Sequence, residues 1–318
     1  MAAGGIVAEN PVWMAVGRGY FAVQSLAGAL WWFAVFTVDA VREATLGGAD
    51  PRLVAMLDVP LFVVASLLAA LGIRWAPRIA VPWTLLVAFA LVIGATATGR
   101  AGWGAFAMVA ASAGSLAAWL LMERGRIPAE LALVGPLSIR VARSASPARQ
   151  FLRTLAQLAV FWVFFLVVLP VLIAWFEARW NLRIDASEWR GPGFAVGLIL
   201  LVAASALGIW AAIAMSTRGD GTPLPSATAR RLVIAGPYRN VRNPMALAGI
   251  VQAVGVGLML GSWLVVLYGV CGAAYWNWLV RPIEEADLET RFGESFRAYR
   301  DRVRCWLPGP GPRPVRAR

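Results

Sequence analysis

Histidine and lysine are both missing from this 318-residue chain, and cysteine occurs only as Cys271 and Cys305. Without an imidazole there is no Ser-His or Cys-His nucleophile and no histidine metal ligand. Without lysine there is no Schiff base and no P-loop lysine. Two cysteines are too few for a disulfide scaffold or a cysteine-rich zinc site, so no metal centre is expected. Charge is scarce as well. Only 14% of residues are charged and 60% are hydrophobic, against about 25% and about 45–50% in an average soluble domain. This argues against a cytosolic globular protein. Any reaction must run on Arg, Glu, Asp, Asn, Tyr and backbone groups.

Long apolar runs fill the chain instead. A helix needs roughly 20 apolar residues to cross a bilayer core of about 30 Å. Uncharged stretches at 19–38, 79–98, 103–122, 154–175 and 193–215 satisfy this, and 53–73 does so with one charge, Asp58. The uncharged stretch 244–280 is too long for one span and carries Gly261-Ser262 near its middle. It reads as a hairpin of two short helices, 244–261 and 263–280. The expected fold class is an all-α integral membrane protein with about eight transmembrane helices and a C-terminal interfacial amphipathic helix.

All 29 basic residues are arginine, against 17 acids. With the N-terminus placed in the cytoplasm, 23 arginines fall on cytoplasmic segments and 6 on the other side, a strong positive-inside bias. Both termini are then cytoplasmic. The bias accounts for the net charge of +12 without nucleic acid, which would need a basic patch gathered on one soluble domain. The first apolar stretch lacks a basic n-region and a cleavage site, so it reads as a retained span. Trp13, Trp75, Trp103, Trp175, Trp180, Trp189 and Trp263 fall near span ends, where amphipathic rings sit. Trp31-Trp32 lies inside the first span and does not fit that pattern.

Four segments follow. Residues 1–122 form a four-span region without a chemical constellation. Its small residues Gly28, Gly94, Gly114 and Ser115 suit close helix packing. Asp58 is its exception: an intramembrane acid is a functional candidate, or else it lies shallow enough to reach the interface. Residues 123–153 are a basic cytoplasmic connector whose part 131–143 reads either as a short interfacial helix or as a charged segment binding anionic lipid headgroups. Residues 154–308 carry the motifs. The proline- and arginine-rich stretch 309–318 is expected to be disordered.

Within 154–308, the loop after the sixth span holds Arg230, Arg231, Leu232 and Val233. It continues through Gly236-Pro237-Tyr238-Arg239 to Arg242-Asn243-Pro244-Met245-Ala246. Gly-Pro marks a turn. Asn243 is placed as an N-cap and Pro244 as a first-turn proline. A helix start beside arginines suits a carboxylate or phosphate, or is simply a capped positive-inside loop. Beyond the last span, Asn277, Arg281 and Glu285 recur at four-residue spacing, with Glu284 on nearly the same face. Pro282 is expected to kink or end the helix there. Gln252, between Gly249 and Gly255, is the one amide of the seventh span. Two facing helices would turn Asn243, Gln252, Asn277, Arg281, Glu284 and Glu285 toward one cytoplasmic-side pocket. The alternative for the Arg-Glu group is an interfacial salt bridge. Leu288, Phe292, Phe296, Tyr299 and Val303 then recur at three or four, the pattern of an amphipathic helix.

The ordered series Gly236-Pro237-Tyr238-Arg239, Val241-Arg242-Asn243-Pro244-Met245, a glutamate pair, Phe292-Gly293 and Tyr299 resembles the C-terminal signature of isoprenylcysteine carboxyl methyltransferases and their bacterial relatives. Phospholipid N-methyltransferases share it more distantly. The resemblance covers roughly 218–308. It implies an integral membrane methyltransferase that uses S-adenosylmethionine and acts on a lipid-like or prenylated substrate among membrane lipids. It assigns cofactor contacts to Arg230, Arg231, Leu232, Val233, Tyr238, Asn243, Pro244, Met245 and Ala246, with Arg242 and Gln252 added from their places in the loop and the pocket. It assigns substrate handling to Arg281 and Glu284, with Glu285 beside them. The eukaryotic enzymes carry histidine at the position of Asn243 and commonly an aromatic at that of Ala246. Carboxyl O-methylation is slightly favoured over lipid N-methylation. The other function classes are a transporter or channel using Asp58 and the Arg-Glu group, and a non-catalytic scaffold with a degenerate cofactor loop. No two-fold internal symmetry supports the transporter.

Overall fold

A computed structural model describes residues 11–128, 156–184, 188, 190–219 and 230–309. Among them there are helices and no strand: α1 (Pro11–Thr37), α2 (Asp39–Leu46), α3 (Pro51–Ala70), α4 (Pro77–Thr98), α5 (Gly102–Arg124), α6 (Ala156–Arg179), α7 (Arg190–Arg218), α8 (Pro244–Leu260), α9 (Trp263–Tyr275) and α10 (Arg281–Arg302). Seven helices are long and apolar enough to cross a membrane: α1, α3, α4, α5, α6, α7 and the continuous run Trp263–Arg302. The remaining expected span is α8, with 17 residues. The protein is a multi-pass membrane protein, and its outward side chains fit lipid: Phe33, Val160 and Trp278 are each about 70% exposed. The expectations for 131–143 and for the C-terminal stretch 310–318 lie outside the described residues.

Proline and glycine set the helix ends. Pro11, Pro51, Pro77 and Pro244 each open a helix, where the missing N–H is no loss. The Asp50 carboxylate caps α3 by accepting from the Arg52 amide at 2.8 Å. Gly261 (φ 61°) closes α8 in the left-handed region, and Ser262 opens α9 at once by accepting from the Val265 amide at 3.2 Å. The hairpin expected at Gly261-Ser262 is present.

The chain divides into two compact units. The first holds residues 1–128 with 176–182, and the second holds 129–175 with 183–318. Residues 123–128, expected in the basic connector, and 176–182, expected in the motif-bearing segment, cluster with the first unit. Those seven residues lock there through polar groups. The Trp180 indole donates to Thr96 Oγ1 at 3.0 Å, and the Asn181 amide donates to the Gly99 carbonyl at 2.9 Å.

In the first unit α1 packs on α3 and α5, and α4 packs on α5. Three of the four small positions behave as expected. A Cβ on Gly28 would meet Phe62 at 2.9 Å, and one on Gly114 would meet the Tyr20 hydroxyl at 2.3 Å. Ser115 donates to Gln24 Oε1 at 2.8 Å. Gly94 has nothing within 4 Å of such an atom and packs against nothing. The Arg18 guanidinium, inside α1, donates to the Ala70 carbonyl at the C-terminal end of α3, satisfying one of its orphan acceptors. The tryptophans that did not fit an interfacial belt serve polar partners. Trp31 donates to Thr45 Oγ1 at 3.2 Å, and Trp32 donates to Asp58.

In the second unit α8 packs along α7 and folds back on α9. Gly197 of α7 and Gly255 of α8 let the backbones approach: a Cβ on Gly197 would lie 2.5 Å from the Gly255 carbonyl. Gly249 is not part of this seam, since its nearest neighbour would be Phe161 at 4.0 Å. The helix does not end at Pro282. A π-helical stretch, Trp276–Val280, widens the turn before it, and α10 runs on to Arg302. The backbone departure sits later, at Gly293 (φ 52°, ψ −125°).

Candidate active site

Three short pieces of the second unit meet: the 230–243 segment with the start of α8, the start of α10, and the strand-like strap 303–306. The strap ties the loop down through backbone bonds. The Arg242 amide donates to the Arg304 carbonyl at 3.0 Å, and the Asn243 amide donates to the Cys305 carbonyl at 3.3 Å. The apolar face expected after Glu285 anchors it: Phe296, Tyr299 and Val303 are buried, with Leu232, Leu288 and Phe292 packed against them. The buried Tyr299 hydroxyl donates to the Tyr238 carbonyl at 2.6 Å. Val233 and Tyr238 sit in a second apolar cluster with Ala211, Ala214 and Ala235, against which Met245 packs.

On this frame the charged groups converge. Asn243 caps α8, its Oδ1 accepting from the Ala246 amide at 3.4 Å. The same side chain hydrogen-bonds the Glu284 carboxyl. Arg242 and Glu285 form an ion pair at 3.2 Å, both largely shielded from solvent. Asn277 Oδ1 accepts from the Trp306 indole at 2.9 Å, and the Arg281 guanidinium donates to Cys305. The four-residue spacing of Asn277, Arg281 and Glu285 thus faces the loop and strap. Pro244 is buried, and Met245 and Ala246 are half-buried on the first turn of α8.

Burial and the neighbouring charge of Glu285 push the Glu284 carboxyl up to about 7, against the Asn243 hydrogen bond, which lowers it. Burial raises the Tyr238 and Tyr299 phenols and the Cys305 thiol, so all three stay neutral at ordinary pH. Three donors point inward unanswered. The Nε groups of Arg242 and Arg281 and the Trp276 indole N–H are buried with no hydrogen-bond acceptor among the described residues. Unpartnered buried donors are costly, so the cluster suits a ligand bearing oxygen acceptors, beside a carboxylate that titrates near neutrality.

Not every expected residue joins this cluster. Gln252 is buried, but its amide donates to Ser205 of α7 at 2.9 Å. It lies eight residues along α8 from Pro244, about 12 Å at 1.5 Å per residue, and serves the helix seam. Arg230 and Arg231 are exposed, and their amides donate to the Gly219 carbonyl at the end of α7. Trp276, Cys305 and Trp306 were missed. Position 306 lies past the last amphipathic repeat, where no periodicity marks it.

No curated protein and no solved structure matches the chain. A family model described as phospholipid methyltransferase matches residues 193–295, which run from α7 into α10. That family includes isoprenylcysteine carboxyl methyltransferase-like proteins. The matched stretch holds Arg242, Asn243, Arg281, Glu284 and Glu285, and over it this chain is similar to the phospholipid methyltransferase family.

Proposed function

We propose that the protein is an S-adenosylmethionine-dependent methyltransferase acting on a zwitterionic or amine-bearing membrane lipid, with its reaction centre at Arg242, Asn243, Arg281, Glu284 and Glu285 on the cytoplasmic side. The observation that carries this is the meeting of an α8 N-cap, two glutamates and two arginines whose buried Nε donors are unanswered. When bound, the cofactor supplies a methyl group already activated on a sulfonium. The residues present fit it. The buried donors of Arg242 and Trp276 match carboxylate and hydroxyl oxygens, and Glu284 and Glu285 place negative charge where a cationic ligand atom is favoured.

The rest is positioning and proton handling. A well-oriented pair of reactants gains roughly 7–11 kcal/mol of barrier reduction. Arg281 orients an anionic group of the acceptor through a charge-assisted hydrogen bond. Glu284 is the proton acceptor. A carboxyl near 7 takes a proton from an ammonium group, which must be neutral to act as a nucleophile. A carboxylate acceptor needs no such group, so the raised Glu284 favours lipid N-methylation over the carboxyl O-methylation expected from the sequence. Glu285 is held by Arg242 and keeps that arginine in place.

Equilibrium binding of S-adenosylmethionine to the purified protein in detergent tests the reading. Binding in the micromolar range is expected, and Asn243→Ala, which removes the cap, weakens it. Absence of binding at concentrations well above that range removes the proposal.

A further inference from the structure

The first unit contains a cavity of about 740 Å³ that methyl transfer leaves unused. Val23, Leu53, Phe62, Val87 and Met108 are among its apolar lining, and one acid, Asp58, stands in its wall. Asp58 is only 4% exposed. It is the eighth residue of α3, about 11 Å along the helix from Pro51 at 1.5 Å per residue. A π-helical stretch, Val59–Val64, begins directly after it, a feature frequent at functional sites.

Both carboxylate oxygens are addressed by neutral donors. Oδ2 accepts from the Trp32 indole at 2.9 Å and Oδ1 from the Trp83 indole at 2.8 Å. No arginine lies within ion-pair distance of Asp58 among the described residues. A carboxylate has about four acceptor positions, so two remain open. The other polar groups of the wall are engaged within the protein. Tyr20 donates to the Ala111 carbonyl, Trp31 donates to Thr45, and Gln24 bridges Ser66 and Ser115. An ionised acid in apolar surroundings inside a membrane is costly unless a proton neutralises it or a cation answers it. The cavity volume lies within the range of about 300–1,000 Å³ found for small-molecule sites.

We propose that this chamber binds an amphiphile with a protonated amine, the ammonium against Asp58 and the apolar body among the aliphatic lining. The assignment uses no residue of 193–295 and stands or falls apart from methyl transfer.

The probes are dodecylammonium and 1-dodecanol, matched in chain and differing in charge. Each is titrated into the full-length protein in uncharged micelles while Tm is read, since a ligand that binds the folded state raises it. Dodecylammonium is expected to raise Tm where dodecanol does not, with an apparent Kd at least about tenfold weaker in Asp58→Asn. Equal stabilisation by dodecanol, or an ammonium effect that survives Asp58→Asn, overturns the proposal. Should Asp58→Asn fail to fold, the wild-type pair of probes still decides. Val87→Trp, which fills the chamber and spares Asp58, must then abolish the ammonium effect; an effect that persists overturns the proposal. Mass spectrometry of co-purified lipid separates the sources. An amine-headed lipid retained by the wild-type protein identifies a membrane lipid. None retained, with dodecylammonium binding intact, identifies a small hydrophobic amine.

Discussion

Glu284 is the residue on which the chemistry turns. Its carboxyl titrates near 7 because burial disfavours its charge and Glu285 stands beside it. With an amine acceptor, turnover therefore rises with pH through about 7, as the base form fills. Glu284→Gln is expected to flatten that rise and lower turnover by about 10²-fold or more; pH–rate profiles of both proteins check this. The same group has a stability consequence. Its folded-state pKa lies above its unfolded one, so the folded state binds the proton more tightly. The carboxyl's contribution is then most favourable at low pH and declines as pH rises from about 4.5 to about 7. Glu284→Gln removes that decline, which Tm measured across this window reads directly. Tyr299 acts on structure instead. Tyr299→Phe leaves the Tyr238 carbonyl without its 2.6 Å donor and should cost about 1–3 kcal/mol, measurable by denaturant titration in micelles.

At the scale of elements, the α7–α8 seam is the tightest joint of the second unit. Gly197→Val would drive a side chain into the Gly255 carbonyl and Met259 and should destabilise by about 1–3 kcal/mol. Gly94→Ala is the contrast. It has open space around it inside a helix, so it is expected to be neutral or stabilising by up to about 1 kcal/mol. Thermal unfolding of the two variants compares them. The helices themselves were legible in the sequence because apolar runs, opening prolines and Gly261 mark their limits. The convergence of Asn243 with Glu284 was partly legible, since capping and four-residue spacing are local signals. The strap was not. It holds the loop by backbone bonds from 304 and 305, and a backbone bond leaves no trace in side-chain pattern. Gln252 shows a related limit. A lone amide in an apolar helix reads as a ligand contact, and the sequence gives no sign that its amide donates to Ser205 on the facing helix.

For the whole molecule, two compact units carry two different polar sites. The second holds the family match and the Arg-Glu cluster, and the first holds an acid in an apolar chamber. The missing histidine and lysine agree with this division of labour, because neither site needs a strong nucleophile from the protein. The most direct measurement of the central claim is transfer of a labelled methyl group from S-adenosylmethionine to a lipid extract containing amine-headed phospholipid, by the wild-type protein and by Arg281→Ala. Label in the lipid fraction with the wild-type protein is expected. In Arg281→Ala, cofactor binding should be retained and transfer lost by at least about tenfold. No label with the wild-type protein despite cofactor binding, or full transfer by Arg281→Ala, would contradict the account.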